Sequence, residues 1–160
     1  MRRQLYYYFP GDVCDRDWTL HLDKEGRDRY CTKMQKQLEV KGKDACFRSS
    51  GKSMLPHIRP QDLCTFLPVG GAAHIDQGDV VFCKVRETGF HYAHFVGKKA
   101  TNFKTGETQF HIFNAAGRYN GHCKMGNGYK DIFGKLVLIN LETFDKINVP
   151  WMKDVPRKIE

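Results

Sequence analysis

The chain has 160 residues, a 41% apolar share and a formal charge of 26 − 18 = +8. That length is the size of one domain able to bury about 70% of its unfolded surface, and the composition excludes a disordered chain. No run of about 18 apolar residues occurs, which excludes a transmembrane helix, and no membrane span is expected.

In chain order, Met1–Pro10 starts basic and turns aromatic, without the aliphatic stretch and small-residue cleavage site of a secretory signal. Tyr6-Tyr7-Tyr8-Phe9, ended by Pro10-Gly11, reads as an edge strand or a packing arm. Between Asp23 and Lys41, Tyr30, Met34 and Leu38 recur at i, i+4, i+8, the thin apolar stripe of a short helix. One short helix does not make a helix-turn-helix. The basic residues, spread from Arg2 to Lys158 and mixed with acids, do not favour a nucleic-acid partner.

From Ala45 the pattern changes to short apolar runs separated by Gly, Pro, Asp and Asn. These predict strands over 45–49, 63–68, 79–86, 90–96, 109–113 and 132–141, with a hairpin tip at Lys104–Glu107. In the fourth run, Phe90, Tyr92, His94 and Val96 share one face, and His91, Ala93 and Phe95 the other. The expected organisation is an N-terminal extension with a short helix (1–44), a mainly β, antiparallel barrel domain (45–141), and a C-terminal tail packed on the same domain (142–160). Six cysteines without a CxxC pair read as reduced, mostly buried thiols of a cytoplasmic protein.

The strongest chemical signal is Gly51-Lys52-Ser53-Met54-Leu55-Pro56-His57-Ile58, followed by Asp62. Gly51 lets the backbone turn tightly so that the Ser53 hydroxyl stands exposed at a strand end. Met54 anchors the turn in apolar surface, and Pro56 stops the chain from continuing as a strand. Gly78-Asp79 then opens a β run, Phe90–Gly97 is a strand with two histidines, and Asn114–Gly121 reads as an Asn- and Gly-rich loop. Ile132–Val137 is a last strand.

These five elements, in this order over about residues 45–141, resemble the LexA-like and signal-peptidase-like serine peptidases, whose serine box reads Gly-x-Ser-Met-x-Pro-x-Ile-x-x-Gly-Asp. Gln61 replaces the last Gly of that box. The resemblance implies a β-barrel in which Ser53 is the nucleophile and a residue of the 90–97 strand its general base. The family uses a lysine in one branch and a histidine in another; the matching position falls on Ala93 or His94, so His94 is the leading base. His91, of opposite strand parity, and Lys98 and Lys99, at an expected turn, are the rivals. A histidine near its ordinary pKa of about 6.5 predicts a rate step around pH ~6–7. Only backbone donors, the Ser53 N–H first, are implied for the oxyanion. Where the histidine branch has an acidic residue after the base strand, this chain has Asn114, leaving Asn114 or Asn120 to orient the ring. No cofactor is implied.

A metal site drawn from His91, His94, His111, His122 and Cys123 matches no zinc spacing, and none is expected. The implied function is a soluble endopeptidase acting on a protein or peptide. Self-cleavage is disfavoured because no Ala-Gly bond precedes the barrel. The alternative is a decayed barrel kept as a binding, regulatory or homodimerisation body.

Overall fold

In a computed structural model of the chain, the structure describes residues 24–48 and 51–144. The expected strand or arm at Tyr6–Phe9 and most of the C-terminal tail lie outside them.

The stripe of Tyr30, Met34 and Leu38 lies on helix α1, Lys24–Glu39, and all three side chains are buried. Nine strands follow: β1 Ala45–Arg48, β2 Leu63–Pro68, β3 Val80–Lys84, β4 His91–Asn102, β5 Glu107–Phe113, β6 Tyr119–Gly126, β7 Tyr129–Lys130, β8 Ile132–Ile139 and β9 Glu142–Thr143. They form one antiparallel sheet in the order β1-β2-β8-β3-β4-β5-β6-β7, with β9 on β8. Among the described residues the ladders do not close on themselves, so the mainly β expectation holds at the level of an antiparallel sheet. The sheet curls nonetheless: beyond β3 the Arg86 N–H donates to the His122 carbonyl of β6 at 3.0 Å.

Two sequence expectations are corrected here. Asn120 and Gly121 belong to strand β6, not to a loop. Lys98 and Lys99 lie inside β4, which runs on past Gly97 through a bulge between Val96 and Lys98. An added Cβ at Gly97 would strike the Phe113 ring, so glycine lets β4 bend against β5.

The curl divides the core. Met34, Leu38, Phe66, Phe82, Phe95 and Phe133 pack between α1 and one face of the sheet. Val81, Val85, Val96, Phe110, Ile112 and Ile132 fill the other side. Strand parity assigns each residue to its side: Ala93 and Phe95 belong with the first group, Tyr92 and Val96 with the second. Helix α1 sits close because Gly134 of β8 has no side chain; a Cβ there would lie 2.9 Å from Leu38 Cδ1 and 3.0 Å from Phe66 Cβ. This close seat brings α1 to the same end of the sheet as Ser53.

Candidate active site

Ser53 stands in the turn that follows β1 rather than at the strand end itself. Met54 is buried in the first core and its carbonyl accepts the His57 and Ile58 N–H groups at 2.8 and 2.9 Å. This folds 54–58 into a tight turn and leaves Gly51, Ser53 and Pro56 exposed. The far end is pinned by Asp62, whose buried carboxylate accepts the Arg59 N–H at 2.7 Å and the Asn140 amide at 3.0 Å. Gln61, at the position where the serine box has glycine, adopts φ +78°, so the left-handed turn is kept without the glycine. On the other flank the Ala115 N–H donates to the Ser53 carbonyl at 3.0 Å. The nucleophile candidate is therefore fixed from both sides.

His94 projects from β4, where it pairs with Val81 of β3, and is 5% exposed. Its Nε2 lies 2.8 Å from Ser53 Oγ, and its Nδ1 lies 2.8 Å from Asn120 Oδ1. An amide oxygen only accepts, so Nδ1 carries the proton and Nε2 is left to accept from the Ser53 hydroxyl. That is the tautomer a general base needs. Burial pushes the His94 pKa down to about 4, and the bond to Asn120 opposes this only in part. The imidazole is thus neutral through the physiological range, and the expected acid step moves below pH ~6–7.

The other named residues divide cleanly. Asn114 does not touch the histidine; its Oδ1 accepts the Ala116 and Arg118 N–H groups at 3.0 and 2.9 Å, shaping the turn that presents Ala115 to Ser53. His91 faces α1 instead, with its Nε2 2.8 Å from Gln35 Oε1 and its ring stacked on Phe82. Lys99 is no base for Ser53: its ammonium donates to the Ala72 and Ile75 carbonyls at 3.0 and 2.9 Å. Lys98 is adjacent on the same strand and pairs in register with His111. His122 is bound to Glu87, 2.8 Å from Nδ1 to Oε2, and Cys123 alternates to the buried side. Among the described residues no group of three or more His, Cys, Asp or Glu is placed to hold a metal ion. The five described cysteines, Cys31, Cys46, Cys64, Cys83 and Cys123, are free thiols.

Sequence reasoning missed five residues that contribute to the site. Ala115 acts through its backbone N–H and leaves no side-chain signal. Asn140 follows β8 at φ +51° and ties Asp62. Tyr30, Cys31 and Met34 of α1 line a cavity shared with Ser53 and His94; the helical stripe marked Tyr30 and Met34 as buried but not as neighbours of the serine.

The buried histidines make stability depend on pH. Burial lowers the pKa of both His91 and His94 to about 4. Their neutral forms are favoured in the fold, so their contribution is complete above the unfolded value of about 6.5 and is lost as pH falls from there toward 4. For His94 the gap corresponds to roughly 3 kcal/mol, and for the more exposed His91 to less, because solvent screens it. The expected result is a urea midpoint that falls between pH 7 and pH 5, with a smaller fall in His91→Phe. A midpoint that stays flat over this interval contradicts the assignment.

No helix among the described residues is long and apolar enough to cross a membrane. Comparison of the chain with models of known families, with curated proteins and with solved structures gives no match.

Proposed function

We propose that the chain is a serine endopeptidase of the LexA-like and signal-peptidase-like group, with a barrel-type sheet, acting on protein or peptide substrates in the cytoplasm. One observation carries this reading: the hydroxyl of an exposed Ser53 lies 2.8 Å from the unprotonated nitrogen of a buried, neutral His94. A free serine hydroxyl is a poor nucleophile, and a positioned base is what activates it.

In the proposed reaction Ser53 Oγ attacks the substrate carbonyl as its proton passes to His94 Nε2. The tetrahedral oxyanion meets the Ser53 N–H. The imidazolium then gives its proton to the leaving amine, the peptide C–N bond breaks, and an ester on Ser53 remains. Water, deprotonated by His94, hydrolyses that ester and restores the hydroxyl. Asn120 holds the ring without supplying negative charge, so the imidazolium is less stabilised than beside a carboxylate.

The test is a serine-directed aryl phosphonate followed by intact-mass measurement. The expected result is one adduct per chain, mapped to Ser53 and absent from Ser53→Ala. The alternative of a decayed body kept for binding predicts no adduct on a folded protein.

A further inference from the structure

Helix α1 does more than cover the sheet. Between it and the first core lies a half-open cavity of about 200 Å³ whose walls include Tyr30, Met34, Phe47, Phe66, Phe82 and His91, and Ser53 and His94 line it as well. A dry apolar cavity of about 150 Å³ holds a benzene-sized guest, so this space takes a whole leucine, methionine or phenylalanine side chain. Apart from Arg48 the described wall residues are uncharged. His91 stacks on Phe82 with ring centroids 5.5 Å apart and is bonded to Gln35, so it presents an aromatic face. Burial lowers its pKa to about 4 and keeps it uncharged. Arg48, the one charged side chain among the described lining residues, donates to the Gln61 carbonyl at 2.8 Å.

We propose that this cavity receives the side chain preceding the scissile bond, and that the residue it selects is a large apolar one of leucine, methionine or phenylalanine size. The inference rests on the peptidase reading of Ser53 and His94. The preference is set by α1, which adds walls that the serine box and base strand do not encode. An extended peptide with its carbonyl at Ser53 Oγ places the preceding side chain within a few ångströms of that atom, and this opening lies there. Filling it removes apolar surface from water, whereas alanine leaves most of it empty.

Two measurements test the proposal. The first uses the wild-type protein and aryl phosphonates that differ only in the side chain mimicking that residue: alanine, leucine, phenylalanine or aspartate. Leucine and phenylalanine analogues are expected to inactivate at least about tenfold faster than the alanine analogue, since two or more methylenes in an apolar pocket discriminate by that much. The second narrows the pocket with Cys31→Trp, which changes a half-buried wall residue of α1. It is expected to slow the leucine and phenylalanine analogues about tenfold and the alanine analogue less than about threefold. An alanine analogue that reacts as fast as or faster than the leucine analogue overturns the pocket while leaving the peptidase reading intact. An unchanged order of rates in a Cys31→Trp protein that keeps its circular dichroism also overturns it. No adduct with any analogue overturns both. If Cys31→Trp does not fold, the wild-type series alone decides.

Discussion

Replacing Ser53 by alanine is expected to reduce peptide cleavage by a factor on the order of 10⁴ or more. The side chain is exposed and, among the described residues, its hydrogen bond is to His94, so the fold is expected to survive with its melting temperature nearly unchanged. His94→Ala is expected to lose nearly as much activity, because a nucleophile without its base is as idle as a base without its nucleophile. The double variant Ser53→Ala/His94→Ala should then be no worse than either single one. Additive losses mean that the two residues do not act as a unit. His94→Ala also opens a cavity at a 5% exposed position, so its activity is read on protein with a native circular dichroism spectrum. His91→Phe supplies the contrast. That residue lies on the opposite face of β4 and is expected to change which peptides are cleaved, through the cavity wall, rather than to abolish cleavage.

The pairing of Ser53 with His94 was expected from the resemblance of the serine box and the 90–97 strand to the peptidase family, while strand parity separates the two histidines without choosing between them. Period two assigns His91 and His94 to opposite faces whatever the rest of the chain does. Gly51, Met54 and Pro56 shape the turn through their own backbone preferences and burial. What was not legible depends on partners distant in sequence. Strand β6 reads YNGHCKMG, and its Asn and two glycines give the pattern of a loop. It is a strand because β5 pairs with it from Thr108 to Phe113. Without that ladder, Asn114 and Asn120 are equivalent candidates for the histidine; with it, Asn120 falls opposite His94 and Asn114 is spent on its own turn. The same holds for β4. Its alternation is clean to Val96, and the bulge at Gly97 hides the continuation to Asn102, which turns Lys99 away from the serine toward the Ala72 and Ile75 carbonyls. The depressed pKa of His94 is likewise a property of burial, which no local pattern encodes.

Asn120 is where the site departs most from a dyad held by a carboxylate, and its substitution separates orientation from charge. In Asn120→Ala the Nδ1–H loses its acceptor in a buried setting, and the ring no longer has one preferred tautomer. A misplacement of about an ångström costs about 100-fold, so kcat/KM is expected to fall 10- to 100-fold. Asn120→Asp keeps the shape and adds a negative charge against Nδ1. An opposite charge at this distance raises a histidine pKa by about 1–3 units. The folded wild-type value is about 4 because desolvation dominates, so kcat/KM in the wild type is expected to be flat from pH 6 to 8 and to fall only near pH 4. In Asn120→Asp the acid limb moves up to about pH 5–7. Above that limb the rate is expected to equal or exceed the wild-type rate, because the carboxylate stabilises the imidazolium that forms as Ser53 attacks. In Asn120→Ala the limb does not move up, since the bond that raises the pKa has been removed rather than strengthened. The measurement is kcat/KM from pH 3.5 to 9 for the three proteins on one peptide. Identical acid limbs in all three mean that Asn120 does not hold the base. A limb near pH 9 or above in the wild type transfers the base to a lysine, against the bonds that draw Lys99 to the other side of the sheet.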